Sequence, residues 1–548
     1  MRRFRHARSA SVRLLLPGAA LLLVSTSAAG LRNYTFRGAI TAPITGVGDV
    51  HEAAISPDGR RAVYVAEQDT LGVSELYSVP LDGSAGPVKL SGPTQGDGRF
   101  LGFSISSDGL RVVYTNDEEE DSVYGLYSAP IAGGAAVQLM PGTDGPYFPS
   151  TYRISADGRW VVALADDEIL SAPIDGSSPT LAINAGITPG TRFEISPDSR
   201  RVVFLGTDAS GALALYSVSI DAGRNGPRLA RWSSRGPVRL TPLPIPSTLW
   251  SLRISANSRR VVYQLFDARR ELYSVPIDGS AKPVKFHSSL IGGVATGRFD
   301  LSPDARRIVY VADHEQAQRY ELYSAPIDGS ASPVKLNGPL VAGGDVLFYN
   351  PAFEISADGS RVVYRADQEI DGIDELYGVP IDGSSAPIKL SAPLVAGERL
   401  NDFHLCPDGS RVVYLTDADC YRTMTLRSAP IDGSSPAVQV NDPHGGHCSD
   451  DGGDETAFEY RISPDSGRVV YLTYRGFCLD LFSTPIDGDT SDIELSQPPS
   501  DNLIVDIPFS ISPDGSQVVF VAWPNGTYVL RLYRVPTDGS SHPLQLSQ

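Results

Sequence analysis

Apolar and polar positions along this chain fall into a pattern of two recurring phrases. An apolar residue, then Ser-Pro/Ala-Asp-Gly, then Arg-Val-Val-Tyr begins at Ile55, Ile105, Ile154, Ile195, Ile254, Leu301, Ile355, Leu405, Ile462 and Ile511, at intervals of 41 to 59 residues. A second phrase, Leu-Tyr-Ser-x-Pro-Ile-Asp-Gly-Ser, follows the first, as in Leu272 to Ser280 and Leu322 to Ser330, and leads into Pro-Val-Lys-Leu. A period of about fifty residues is too long for a simple solenoid coil and matches one propeller blade.

One unit, residues 297 to 336, predicts four strands and three turns. Gly297 to Ser302 is strand one, and Pro303-Asp304-Ala305 is the first turn, where other units carry Pro-Asp-Gly. Proline presets φ there and glycine supplies a positive φ. Arg307 to Ala312, rich in β-branched and aromatic residues, is strand two. A variable acidic loop, Asp313 to Arg319, leads to strand three, Tyr320 to Ala325, and Asp328-Gly329 turns the chain into strand four, Pro333 to Leu336. Strands two and three are almost continuously apolar, as expected of sheets covered on both faces by neighbouring blades. Pro326, like Pro80, Pro276, Pro380 and Pro430, removes a donor near the end of strand three, so the ladder should stop or bulge there.

The Ile-Ser-Pro-Asp-Gly-Arg-Arg-x-Val-Tyr phrase with the later Leu-Tyr-Ser-x-Pro-x-Asp-Gly resembles the TolB-type WD-like propeller repeat, also found in propeller domains of prolyl oligopeptidase-like enzymes. The resemblance covers roughly residues 38 to 548. It implies the fold rather than a chemistry, because such repeats occur in binding scaffolds, peptidase gates and polysaccharide-degrading enzymes. The small α/β domain of TolB and a hydrolase domain are both expected to be missing.

The fold class is therefore all-β: a propeller of about ten four-stranded blades, read as a single large ring. The alternative is two smaller propellers, four plus six blades, split in the irregular segment Arg224 to Pro246. Residues 38 to 46 mimic the segments that link other units and are expected to supply a strand that helps close the ring, burying sheet edges.

Strand one should lie nearest the axis, and its alternation separates two series. Three residues before the repeat serine stand Phe103, Tyr152, Phe193, Phe299, Phe353, Phe403, Tyr460 and Phe509. Two before it stand Arg153, Glu194, Arg253, Asp300, Glu354, His404 and Arg461. Period two sends these to opposite faces. The charged series, with signs largely alternating over seven blades, reads as an ion-pair ring around a wet channel; the sharper reading is a channel that holds a ligand. The loops after strand two begin with Glu67, Asp117, Asp166, Asp313, Asp367 and Asp417, where an acid starts a turn. A cation or basic-peptide surface is the other reading of these acids. Tyr474 and Trp523 occupy that position in the last two units, an aromatic patch for sugar or peptide stacking.

Charge and the chain's start narrow the setting. Arg2, Arg3, Arg5, Arg8 and Arg13 precede the apolar run Leu14 to Val24, and Ser27-Ala28-Ala29 offers small residues for cleavage: residues 1–29 read as a secretory signal peptide and 30–548 as the propeller. The run is too short to span a bilayer, so no membrane span is expected. Removing residues 1 to 30 takes the formal net charge from −18 to −23, which argues against nucleic acid as a partner. The chain is expected to be exported, periplasmic or extracellular, and monomeric.

Four cysteines permit disulfides in that compartment. Cys420 and Cys478 fall in strand two to three loops of successive units and Cys448 in the connection between them, so Cys448 is expected to pair with Cys420 or Cys478. Cys406, in place of the repeat serine, should remain free. No cofactor is expected. Asp450, Asp451, Asp454 and Glu455, in the Gly-rich loop that also holds His444 and His447, could hold Ca2+, but the EF-hand order is missing and a solvated, cystine-tied loop is the simpler reading. There is no Gly-x-Ser-x-Gly nucleophile elbow. His404, with His51, is the histidine content of the strand-one segments, too little for a lyase metal centre. These features favour a non-enzymatic exported scaffold that binds a protein, peptide or glycan. The alternatives are a propeller hydrolase or lyase with a channel site, or a gating subunit for a separate enzyme.

Overall fold

The computed structural model describes residues 49–70, 72–92, 100–120, 123–143, 151–165, 167–222, 236–241, 248–266, 271–286, 295–347, 351–394, 398–418, 423–441, 459–475, 478–488, 492–497, 503–524 and 529–547. The repeat turn closes strand one onto strand two with its own side chains. In the first unit the Ser56 hydroxyl donates to Asp58 Oδ1 at 2.6 Å and accepts the Arg61 amide at 3.0 Å, while Gly59 takes φ +69°. Ser302, Asp304 and Arg307 repeat the arrangement five units on. Ala305, Ser199, Ser258 and Ser466 stand at the glycine position of their turns with φ near +60°. Three of these exceptions gain something: the hydroxyls of Ser199, Ser258 and Ser466 accept the amides of Asp157, Asp198 and Asp408 from the preceding unit.

Strands two and three pair in register and stack their aromatics. Tyr64 lies opposite Tyr77 with ring centroids 5.6 Å apart, and Tyr263 opposite Tyr273 at 5.4 Å. Such pairs add about 0.5–1.5 kcal/mol beyond the area they bury. The lysine of the Pro-Val-Lys-Leu phrase ties strand four to strand three, as Lys335 Nζ does with Glu321 at 3.0 Å. In the illustrated unit the strands are Ala295–Leu301, Arg307–Ala312, Glu321–Pro326 and Val334–Lys335. Strand three thus includes its proline, which pairs with Arg307 and ends the ladder without a bulge.

Ten four-stranded antiparallel sheets lie among the described residues, each made of four consecutive strands, and together they form one ten-bladed β-propeller. Burial on strand two runs almost unbroken because both faces are covered: ten apolar clusters occupy the ten interfaces between successive blades. One of them joins the first blade to the tenth through Tyr64, Tyr77, Val519, Val521 and Leu532, and the Leu530 amide donates to Asp49 Oδ1 at 2.9 Å. Another crosses the doubtful segment after the fourth blade, uniting Val203 and Leu215 with Leu252 and Val261. The ring is therefore single, and the four-plus-six division does not occur. The first and tenth blades each carry four strands of their own; residues 38–46, like the signal-peptide segment, lie outside the described residues.

The outer turn, from strand three to strand four, sits on the preceding blade. Gly383 has φ +70°, and a Cβ there would stand 2.7 Å from Val334 Cγ1 of the sixth blade. Beside this turn the arginine that opens strand two is fixed through Nε to the serine of strand three, at 2.7 Å for Arg260–Ser274 and Arg307–Ser324. Its charge also reaches the aspartate of the next blade's outer turn, Arg260 to Asp328 and Arg307 to Asp382. The tenth blade exchanges the pair. Gln517 takes the arginine position and Arg534 the serine position, 3.3 Å apart, and Arg534 still acts on Asp82 of the first blade.

Candidate functional site

The first strands of successive blades lie beside one another and form the inner wall of the ring, as in Thr188–Ile195, Thr248–Ile254 and Ala295–Leu301. Arg153, Glu194, Arg253, Asp300, Glu354, His404 and Arg461 are all half-buried there. The aromatic series turns the other way: Phe299, Phe353, Phe403 and Phe509 are buried in the clusters between blades. Alternation on one short strand thus serves both the core and the wall.

The wall is neutralised in local groups. Arg253 Nη1 lies 3.7 Å from Glu194 Oε1 across the fourth and fifth blades. Burial raises the Glu194 carboxyl pKa, and the charges of Arg253 and Arg153 offset part of that rise. Glu354 reaches from the seventh blade to the eighth, where Oε1 meets His404 Nδ1 at 3.0 Å and Oε2 accepts the Leu405 amide at 2.8 Å. Asp402 Oδ2 lies 3.3 Å from the other ring nitrogen of His404. Burial works against a charged imidazole, but the two carboxylates outweigh it and lift the His404 pKa to about 10. With both nitrogens turned to carboxylates, His404 is an imidazolium with two donors. Burial likewise pushes Glu354 up, and the His404 charge and hydrogen bond bring it net below the usual carboxylate range. Arg461 pairs with Glu459 at 2.7 Å and covers the Phe509 ring at 5.0 Å. Asp300 accepts the Leu301 amide at 2.9 Å.

Three wall residues escaped the sequence reading. Asp402 and Glu459 lie two residues before His404 and Arg461 on the same face, a placement the same period of two would have given. Glu52 holds the corresponding place in the first blade, where burial pushes its carboxyl pKa up to about 7. The wall near it is small-sided, with Ala54 beside it and Ser104 on the second blade, whose hydroxyl lies 3.2 Å from Tyr152 Oη.

The loop acids turn inward. Asp117, Asp313, Asp367 and Asp417 are buried. Glu67, Asp313 and Asp367 accept the amides of Gly72, Gln318 and Gly372, five residues on, and each of those three residues has positive φ. These acids are therefore loop staples. Asp166 lies outside the described residues. Trp523 is half-buried against the cluster between the tenth and first blades. Tyr474 falls on the strand Arg468–Arg475, its side chain outside the described set. Cys406 is free and buried, with a thiol pKa pushed up to about 12 by burial. Cys420, Cys448, Asp450, Asp451, Asp454 and Glu455 lie outside the described residues, as does the Cys478 side chain, so the disulfide and calcium readings fall there too.

No protein-family model matches this chain, and no curated protein matches it. Solved structures do. A eukaryotic initiation factor is similar over 72% of this chain and 89% of its own, with 12% identity and a TM-score of 0.47. Dipeptidyl peptidase 4 of Porphyromonas gingivalis is similar over 82% of this chain and 66% of its own, with 12% identity and a TM-score of 0.47. An oligogalacturonate lyase in complex with manganese follows, over 70% and 96%, with 13% identity and a TM-score of 0.34. The propeller assignment rests on the ten sheets themselves. Among the described residues no helix is long and apolar enough to cross a membrane.

Proposed function

We propose that this protein is an exported, non-enzymatic propeller scaffold that binds a protein, peptide or glycan partner through its inner wall. The observation that carries this reading is the state of His404. Held between Glu354 and Asp402, it is charged at neutral pH, so it neither accepts a proton nor offers a lone pair to a metal. Arg253 with Glu194, His404 with Glu354 and Asp402, and Arg461 with Glu459 are engaged with each other, which suits a rigid, charge-patterned rim for recognition. The apolar run Leu14 to Val24 behind five arginines supports the export part of this reading.

The test is affinity capture of envelope and secreted proteins and glycans, with captured partners purified and rebound to the wild type and to Glu354→Gln/Arg253→Gln. Loss of rebinding by a variant that remains folded at the assay temperature supports the wall as the site; undiminished rebinding removes it. One observation favours the enzymatic alternative, the Glu52 carboxyl with a pKa of about 7, suited to a general base. Turnover of a captured glycan or peptide that disappears in Glu52→Gln would replace the scaffold reading.

A further inference from the structure

Two charges of the inner wall stand apart from the pairs described above. Glu52 on the first blade and Arg153 on the third are half-buried, and neither has a hydrogen bond or an ion pair among the described residues. Arg153 Nε is enclosed without an acceptor, and the charge of Arg153 is felt at Glu194 only from beyond ion-pair distance. The Glu52 carboxyl is raised by burial, with no cation beside it to offset the rise. Elsewhere on the wall Glu194 meets Arg253, Glu354 and Asp402 meet His404, and Glu459 meets Arg461. A half-buried charge without a partner is costly to a fold, so two of opposite sign on one stretch of wall point to a ligand that pairs them.

The second blade separates the two and leaves room between them. Its strand Gly102–Ile105 turns Gly102 and Ser104 to the wall, and the residues beside the charges on the same face are Ala54 and Thr151. All four are small, so none of them fills the gap. The Tyr152 hydroxyl reaches from the third blade to Ser104 Oγ at 3.2 Å, and the Glu52 charge is felt at Tyr152, the neighbour of Arg153 in the chain. The two charged groups thus border one stretch of wall, with the Ser104 hydroxyl between them. Facing sheets pack about 10 Å apart, so groups two sheets apart are joined only by a ligand longer than an α-amino acid.

We propose that this stretch binds a small zwitterion of extended shape, its carboxylate on Arg153 and its ammonium on Glu52. Charge complementarity sets both ends: an anion alone leaves Glu52 unpaired, a cation alone leaves Arg153 unpaired, and a neutral ligand leaves both. The arginine fork matches a carboxylate bidentately, and a serine hydroxyl beside it can donate a further hydrogen bond. The site rests on the wall being open to ligands, as in the function proposed above, and uses none of the ion pairs named there.

The experiment is isothermal titration calorimetry of the full chain with ε-aminocaproate, and with caproate, hexylammonium and glycine. The long zwitterion should bind at least about tenfold more tightly than either singly charged analogue or glycine. Glu52→Gln should weaken ε-aminocaproate about tenfold and leave caproate unchanged, whereas Arg153→Gln should weaken it likewise and leave hexylammonium unchanged. Arg60→Gln, on an exposed turn of the first blade, should match the wild type. Neither Glu52 nor Arg153 has a bonded partner to orphan, so both variants should stay folded, and the ligand analogues test the site on the wild type should either unfold. No binding of ε-aminocaproate, equal binding of glycine or of a singly charged analogue, or equal loss in Arg60→Gln overturns the site. Rebinding of a captured partner is read on Arg253 and Glu354, so this site can fail while the wall reading stands, and the reverse.

Discussion

Replacing Gly383 by alanine tests whether the outer turns hold the blades together. Its φ of +70° costs an alanine about 1 kcal/mol. The added methyl would also stand 2.7 Å from Val334 Cγ1 on the neighbouring blade, and relieving such overpacking costs about 1–3 kcal/mol more. Gly372, in the same blade, isolates the first effect: φ is +76°, yet nothing lies within 4 Å of a Cβ there. In urea unfolding, Gly372→Ala should lower stability by about 1 kcal/mol and Gly383→Ala by about 3 kcal/mol, read as midpoint shifts at constant slope. Val334 is 39% exposed, so Val334→Ala alone should cost less than about 1 kcal/mol. Combined with Gly383→Ala it should recover about 1–2 kcal/mol relative to additivity, because the clash is gone. Equal costs for the two glycines, or strict additivity in the double variant, would refute the packing argument.

Three further outcomes follow from residues of the turns and the wall. Ala305→Gly should raise stability by about 1 kcal/mol because it relieves a φ of +59°, whereas Ser258→Gly should be near neutral, since it also gives up the hydrogen bond from Asp198; chemical denaturation of both decides it, and equal gains would count against the stitching role of Ser258. Because the His404 pKa is raised in the fold from 6.5 to about 10, its ion pairs stabilise fully below pH 6.5 and that contribution is lost as pH rises through 10; wild type should lose midpoint across this window relative to Glu354→Gln, and parallel curves would sink the assignment. The raised Glu52 pKa has the opposite consequence for a carboxyl: its ionisation opposes folding progressively above pH 4.5, so Glu52→Gln should match the wild type at pH 4 and exceed it on the order of 3 kcal/mol at pH 8, in thermal melts at both values.

The turns and strands were legible in the sequence because their causes are local. The Ser-Pro-Asp-Gly phrase carries its own hydrogen bonds, and continuous apolar runs announce faces covered on both sides. Closure was less so. It depends on Asp49 meeting Leu530, 481 residues away, and on a cluster shared by Tyr64 and Val519, which no repeat spacing reports. At the wall, period two identified the face that holds Arg253 and His404 but could not say which neighbours meet. A break in register between Leu400 and Asp402 precedes the two residues of the eighth blade that share that face. The tenth-blade exchange of Gln517 and Arg534 is visible only when strands two and three are laid side by side. Gly383 shows the same limit: its turn predicts positive φ, while its contact with Val334 belongs to another blade.

Four consecutive strands per sheet also bear on how such a chain can change its length. Because no strand among the described residues is lent to a neighbouring sheet, a unit cut from one Ser-Pro-Asp-Gly phrase to the next is a complete cassette with matching ends. Insertion or deletion of whole cassettes would leave no orphaned strand, and each event would alter the calibre of the ring. Arg534 keeps the tenth unit within that scheme: with Gln517 at the arginine position, it still reaches Asp82 of the following blade from the other strand.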